Sequence, residues 1–535
     1  MELFKNKFLK MKKLILFLIF HIQFSIFSFC NAQPGTIDST FGVNGVVRLT
    51  INPSLPTGFC RKLIPLPDGK VIAAGSSNDI QGMRITIARL NNDGVLDSTF
   101  GTQGITKTAI NSSMGNFSYC AVRLANGKIL LGGNASIPGF GDCFAVARYT
   151  PDGIPDSSFS GDGVDFFPVN GATFDSFGYA IALQSDGKVI LAGTTSNGSN
   201  YDFAVLRFLA NGGIDTSFGN MGATVTSIGS NNDYCYSMTV QSDDKIVLAG
   251  TTYNGSKNVF ALARYEANGL LDPTFGISGI LIYSLGLNVG HSLSSVVIQQ
   301  PDNKIIIGGS VFLLTNDDFA MLRFDSLGVI DNSFGIAGLA SIDFSGSGSV
   351  DRGRDIGFQP DGKILLSGES LLFGSSFGLA RFDSNGNPDN TFGNAGLVYL
   401  NLEPGNHYGY STAIDVNNKI LLGGQISNYP GFYIARFNSE LVAAINSEQQ
   451  ISSKKLFVYP NPTSHAIFIN VSTDFGEEGD RIEFKIMDVT GKICTEKLLN
   501  FEYKIQVNVH YTPGIYFVQL RNENKIATQM LIIQE

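Results

Sequence analysis

Residues 184–219 read QSDGKVILAGTTSNGSNYDFAVLRFLANGGIDTSFG, and they hold three patterns whose order decides the fold. Ser185-Asp186-Gly187-Lys188 is a tight reversal, because Asp-Gly supplies the positive φ angles that a short hairpin loop requires. An aliphatic strand follows, from Val189 to Gly193. The stretch from Phe203 to Phe208 is a second strand, rich in aromatics with Arg207 embedded in it, and Asp215-Thr216-Ser217-Phe218-Gly219 is another turn. Short apolar runs bounded by Gly and Asp are strand signals rather than helix signals.

Outward from this stretch the same patterns return in the same order. The hairpin recurs as PDGKVIAAG, NGKILLGG, SDDKIVLAG, PDNKIIIGG, PDGKILLSG and VNNKILLGG, and the arginine strand as ITIARL, FAVARY, FALARY, FAMLRF, FGLARF and FYIARF. The motif D-x-[ST]-F-G-x-x-G occurs seven times, with PDSSFSGDG its one degenerate copy. Its phenylalanines, Phe41, Phe100, Phe159, Phe218, Phe275, Phe334 and Phe392, are spaced 57 to 59 residues apart. A strand after the Phe-Gly motif (Gly45 to Thr50 in the first copy) and another before the hairpin (YAIALQ) bring each unit to four strands. Connections this short leave no room for crossover helices, so each unit is expected to be a four-stranded antiparallel blade, and the chain an all-β, seven-bladed propeller over residues 33–438. An open solenoid would call for distinct capping units, whereas the first and last units here are ordinary. The chain enters through a Phe-Gly strand and leaves after the arginine strand ending at Phe437. If blade boundaries fall between the Phe-Gly strand and the next, the first strand completes the last blade; otherwise every blade is continuous.

These units resemble delta-60 repeats of bacterial secreted proteins, whose pattern of PDGK, aliphatic strand, A-R-[FY] and LDxTFG is matched over roughly residues 35 to 438. The resemblance implies propeller architecture and no single chemistry.

Composition agrees with this reading. Only 16% of residues are charged and 61 are Gly, which suits short strands and tight turns. The net charge of −9 is spread without basic blocks, so nothing supplies the phosphate-neutralising stripe of a nucleic-acid binder. Residues 1–32 read as a signal peptide, with lysines from Lys5 to Lys13, an apolar run from Leu14 to Phe29 and cleavage expected after Ala32; Met11 is an alternative start. A retained anchor or lipidation of Cys30 are weaker readings, because the run is short for a span and Phe29 is bulky. No membrane span is expected in the mature chain. Its five cysteines, Cys60, Cys120, Cys143, Cys235 and Cys494, make no disulfide framework; the first, second and fourth replace small residues of other units, and a Cys120–Cys143 bridge is the one alternative.

Residues present in every unit serve a need that every unit shares. Arg89, Arg148, Arg207, Arg264, Arg323, Arg381 and Arg436 lie in apolar strands, and the motif aspartates are their expected partners. The motif phenylalanines are expected to wedge between blades. Strand parity then puts the hairpin and Phe-Gly turns on one face of the disk and all the variable loops on the other, where binding is expected. On that face units six and seven are the most polar, and Asp351, Arg352, Arg354, Glu369, Glu403, His407, Tyr408 and Tyr410 are the candidate binding residues. A glycan or protein ligand is the favoured expectation. A carboxylate pair with a histidine and tyrosines would also suit a glycan hydrolase or lyase, and a structural surface component is a third reading. No catalytic residue is assigned, and no cofactor or metal is expected: no CxxC, HExxH or phosphate-cradling loop occurs, and Asp-Gly turns such as SGDGVD lack calcium-loop spacing.

Residues 439–455 read as a polar linker, and 456–535 as a small Ig-like β-sandwich. The latter resembles the C-terminal sorting domain of the type IX secretion system of the Bacteroidota. Tyr459, Pro460, Asn461 and Pro462 match its opening motif, Gly491 and Lys492 its central turn, and Pro513, Gly514 and Tyr516 its late strand, although the chain ends Gln534-Glu535 where a basic residue is common. The resemblance implies the type IX machinery as partner, and a secreted or outer-membrane surface location.

Overall fold

The computed structural model describes residues 33–440 except 53–56, 111–114, 170, 172–173, 287–290, 300–301, 314–315, 345–349, 372–374 and 430. Beyond these it describes 457–459, 466–470, 481–488, 492–500, 504–508, 511–512, 514–522 and 525–533. The expected signal peptide and nearly all of the expected linker lie outside the described residues.

The unit Ala32–Leu441 holds seven four-stranded antiparallel sheets. In the first blade the strands Gly58–Pro65, Val71–Asp79, Gly82–Leu90 and Ile105–Thr108 pair in chain order. The first strand of each blade is innermost and packs beside its counterparts in the neighbouring blades. Five further blades repeat this pattern. The seventh is split: His407–Ile414, Ile420–Ile426 and Phe432–Phe437 are completed by Val46–Leu49 from the other end of the chain, with Val46 opposite Ala435 and Leu49 opposite Phe432. Of the two phases open from sequence, this is the one in which the first strand locks the ring. No blade then presents a bare edge where the ends meet.

Each blade is tied to the next by its arginine. The guanidinium Nε lies 2.6–2.9 Å from the motif aspartate Oδ2, as in Arg89–Asp97, Arg207–Asp215 and Arg436–Asp38. Its plane covers the motif phenylalanine at 4.4–4.8 Å. Nη1 donates to a backbone carbonyl of the following blade, Pro151 for Arg89, Ala267 for Arg207 and Asn92 for Arg436, so the last staple closes the circle. The hairpin lysine is the partner that sequence reading missed: Lys70 Nζ lies 2.8 Å from Asp97, and Lys245 lies 2.8 Å from Asp272. Burial pushes the Asp215 carboxyl up, but bonds from the Ser217 hydroxyl and amide, with Lys188 and Arg207, outweigh it and hold the pKa at about 2. The motif phenylalanines are wholly buried, as wedges should be. A Cβ on Gly153 would stand 2.5 Å from the Phe100 ring, so the turn glycine of one blade gives way to the wedge of the blade before it. Cys60, Cys120, Cys143 and Cys235 are buried free thiols, without the alternative bridge.

The C-terminal unit is also all-β. Phe457–Tyr459, Ala466–Asn470 and Lys504–Asn508 form one sheet. Ile493–Asn500, Arg481–Asp488, Gly514–Asn522 and Lys525–Ile533 form the other. Ile467, Ile469, Phe484, Ile486, Val518 and Leu520 share one core between the sheets, as a sandwich requires. Of the sorting-motif residues, Tyr516 is buried and its hydroxyl donates to the Thr512 carbonyl at 3.0 Å, while the Lys492 amide donates to Asp488 at 3.1 Å. Tyr459 and Gly514 lie in strands; Pro460, Asn461, Pro462, Gly491 and Pro513 lie outside the described residues.

Candidate binding site in the central cavity

All seven inner strands carry a β-bulge at the same place, where one residue is skipped in the pairing with the next strand. The skipped residues are Arg61, Tyr119, Tyr179, Tyr236, Ser294, Arg354 and Tyr410. A bulge re-aims a side chain, and all seven residues line one cavity of about 680 Å³ bounded by the inner strands of every blade. Its size suits a small-ligand pocket. A glycine inside the second strand of each blade makes the bulge possible. A Cβ at Gly75, Gly133, Gly193, Gly250, Gly309, Gly368 or Gly424 would lie 1.8–2.1 Å from the carbonyl oxygen two positions before the bulge residue. No side chain fits there.

The backbone device repeats but its side chains do not. Arg354 lies over the Tyr410 ring at 5.7 Å, and Arg61 over the other side of that series at 3.7 Å from Tyr410 and 5.4 Å from Tyr119. Tyr119 and Tyr179 have centroids 5.0 Å apart, and Tyr179 and Tyr236 5.9 Å. Six residues thus form a continuous arc, which is broken at blade five by Ser294. A second tier stacks on the first, with Phe117 on Tyr119, Phe177 on Tyr179, Tyr234 on Tyr236 and Tyr408 on Tyr410, centroids 6.0–6.4 Å apart. Burial pushes the Tyr119, Tyr236 and Tyr410 phenols above their ordinary range, so they remain donors at neutral pH. Burial alone would lower Arg354, but the Glu369 carboxylate 2.7 Å away raises it on balance.

The residues singled out from sequence divide into two sets. Arg354 and Tyr410 reach the cavity, and Arg352 and Tyr408 stand one step nearer the variable face on the same strands. Glu369 lies behind them with its side chain 3% exposed, shared by Arg354 and by Arg352 at 3.6 Å. The remainder lie away from the cavity. Seven of the eight are strand residues rather than loop residues; only Glu403 is in a loop, where it pairs with Arg48 at 3.6 Å. His407 is wholly buried, its Nδ1 donates to the Gly405 carbonyl at 3.1 Å and its Nε2 accepts from the Leu402 amide at 3.2 Å. Burial lowers its pKa, and both nitrogens are spent on backbone groups, so the ring caps a loop. Asp351 is likewise buried and accepts from the Phe344 amide. It joins Asp318 and Asp343, with oxygens within 4.8 Å of one another, close enough to share a proton or a cation. Burial first, then Asp343 and Asp351, raise Asp318 to about 6.

Sequence reading missed Arg61, Tyr119, Tyr179 and Tyr236. Superposing the seven inner strands in sequence would have found them, since one column holds four tyrosines, two arginines and a serine beside columns of mostly small residues.

A ring of seven blades around a side-chain-lined axial cavity defines a closed β-propeller with a chamber at its centre. The comparisons with known proteins give the finer assignment. Residues 66–100, 124–159, 184–218, 241–275, 300–334 and 359–392 match the model of the domain of unknown function (DUF5122) beta-propeller. Residues 457–534 match the secretion system C-terminal sorting domain. Six stretches of the propeller thus match one repeat-family model and the tail matches a type IX sorting domain, which indicates export to the cell surface or beyond and contact with the secretion machinery. Each propeller match runs from a hairpin to the following Phe-Gly motif, and in the seventh blade these lie at opposite ends of the chain.

No curated protein sequence matches the chain. Among solved structures it is similar to Sqt1 of Chaetomium thermophilum bound to the N-terminus of ribosomal protein L10, at 11% identity and TM-score 0.40, covering 70% of this chain and 95% of that one. It is also similar to Drosophila Plexin A in complex with Semaphorin 1b, at 9% identity and TM-score 0.38, covering 76% and 88%. The polysaccharide lyase Uly1 aligns at 11% identity and TM-score 0.39, covering 71% and 89%. At these scores the likenesses carry no argument about ligand or activity.

Proposed function

We propose that this exported propeller is a non-enzymatic binding module that takes a glycan or protein ligand through its variable-loop face into the central cavity. The observation that carries the reading is the set of seven bulges, which deliver non-repeating polar and aromatic side chains to one chamber while the rest of each blade repeats. Catalysis by the His407 and Glu369 group is disfavoured by their bonding, because the imidazole nitrogens hold backbone groups and the carboxylate is held by two arginines. The test is glycan- and protein-array binding by the full chain, followed by product analysis on every hit. Binding without turnover, abolished by Ser294→Trp at the gap in the arc, supports the reading. Turnover, or binding that Ser294→Trp leaves intact, overturns it.

A further inference from the structure

The seven bulge residues come one from each blade, but their chemistry is uneven around the axis. Blades two, three and four supply Tyr119, Tyr179 and Tyr236, and blade five supplies Ser292, Ser294 and Ser295. The cations gather on the opposite side, with Arg61 and Lys62 from blade one and Arg354 from blade six, against one carboxylate, Asp355.

These cations differ in what occupies them. Lys62 is held by Asp355 at 3.2 Å, and Asp355 also accepts from the Thr412 amide at 2.8 Å. Arg354 is held by Glu369 at 2.7 Å. Arg352, at the outer tier, touches the same Glu369 at 3.6 Å and keeps its side chain 47% exposed. Arg61 faces only rings: Tyr410 at 3.7 Å, Tyr119 at 5.4 Å and Phe59 at 5.6 Å, with no carboxylate in ion-pair range among the described residues. Stacking occupies the face of a guanidinium and fixes its plane. Its N–H edge stays available, and that edge is the part that matches a carboxylate or sulfate. In a chain of net charge −9, four cations meeting two carboxylates make a local field that favours an anion. Tyrosine hydroxyls and serines elsewhere on the wall suit sugar hydroxyls, and ring faces suit the apolar face of a pyranose.

We infer that the cavity selects an acidic glycan, with the uronate carboxylate or sulfate ester bound at the Arg61 guanidinium edge and the sugar rings resting on the tyrosine arc. This deepens the proposed binding function and rests on it. The chain is expected to bind through the Arg61 edge and to leave the Arg354–Glu369 pair in place as its support.

The experiment is calorimetric titration of the full chain with three hexasaccharides of matched length: oligogalacturonate for carboxylates, oligo-κ-carrageenan for sulfates and cellohexaose as the neutral control. Poly-glutamate serves as the acidic peptide control. The expected result is binding of one or both acidic sugars at least tenfold tighter than cellohexaose. That binding should weaken about tenfold in Arg61→Met, which keeps the apolar stem, and also weaken with rising salt. Tyr179→Phe is the second variant; it keeps the ring and the fold and is expected to lose less than Arg61→Met. Equal affinity for cellohexaose, or acidic-sugar binding unchanged in Arg61→Met with a folded circular-dichroism spectrum, overturns the acidic assignment and leaves the binding function standing. Arg61-dependent binding of poly-glutamate with none of the sugars overturns the glycan assignment. Absence of binding to every array component as well overturns both readings.

Discussion

Substituting Arg207 by methionine keeps an unbranched apolar stem and removes the guanidinium from the staple between blades three and four. The lost bonds are those to Asp215 at 2.9 Å, the Ala267 carbonyl at 2.7 Å, the Gln184 amide oxygen at 3.1 Å and the Ser217 hydroxyl at 3.2 Å. Removing one partner of a buried ion pair destabilises by about 3–5 kcal/mol, because the other charge is left without compensation. Lys188 stays 3.3 Å from Asp215, which places the effect at the lower end, about 3 kcal/mol. With unfolding entropy of about 2.1 cal/mol/K per residue over roughly 400 residues, that is a fall in Tm of about 4 K. Differential scanning calorimetry of the full chain reads it directly. The double variant Arg207→Met with Asp215→Asn is expected to recover part of the loss, since the unpaired charge is then gone. The pH dependence follows the same logic. Asp215 is depressed to about 2, so its stabilisation is present above the ordinary value of 3.8 and is lost as pH falls toward 2; in Arg207→Met that window narrows. A Tm within 1 K of the parent, or a double variant no better than the single, would refute the staple.

The bulge glycine can be tested against a turn glycine. In Gly193→Ala the new Cβ meets the Phe177 carbonyl oxygen at 1.9 Å, so a loss of about 3 kcal/mol is expected in urea unfolding. Gly187→Ala meets nothing within 4 Å and pays only for its φ of +80°, about 1 kcal/mol; equal losses would contradict the bulge account. Asp318 is raised from 3.8 to about 6, so the native state holds its proton more tightly than the unfolded chain and stability falls as pH rises between those values. Asp318→Asn is therefore expected to be more stable than the parent at pH 7.5, by up to about 3 kcal/mol, and equal to it at pH 3.5; a less stable variant at pH 7.5 would reverse the sign. A chain ending at Ser453 should accumulate in the periplasm, as fractionation and blotting would show, and undiminished surface display would contradict the sorting role.

The blade was legible because its turns are written in local chemistry. Asp186-Gly187 sets a hairpin, Phe218 and Arg207 need burial and a partner, and the spacing of the copies makes a closed ring the natural solution. The phase of closure was not legible, since pairing of Val46–Leu49 with Phe432–Phe437 is a contact between the ends of the chain that no local pattern encodes. The candidate site was half legible. Arg352, Arg354, Tyr408 and Tyr410 were found as polar residues in unusual number, yet they were assigned to loops, because an inner strand with a bulge breaks the alternation by which strands are recognised. His407 was misleading for a general reason: a lone histidine in a polar stretch serves a backbone cap as readily as a ligand, and only its neighbours decide. Gly193 and its counterparts were read as strand ends when they are the partners of the bulges, a role visible only once the carbonyl opposite is in place.

The measurement that tests the central claim most directly is a crystal structure of the chain soaked with oligogalacturonate. The account predicts sugar density inside the ring, with a carboxylate on the Arg61 guanidinium edge and a pyranose against Tyr119 or Tyr179. Density confined to the hairpin-turn face or to the outer rim, with the central cavity empty of sugar, would contradict it.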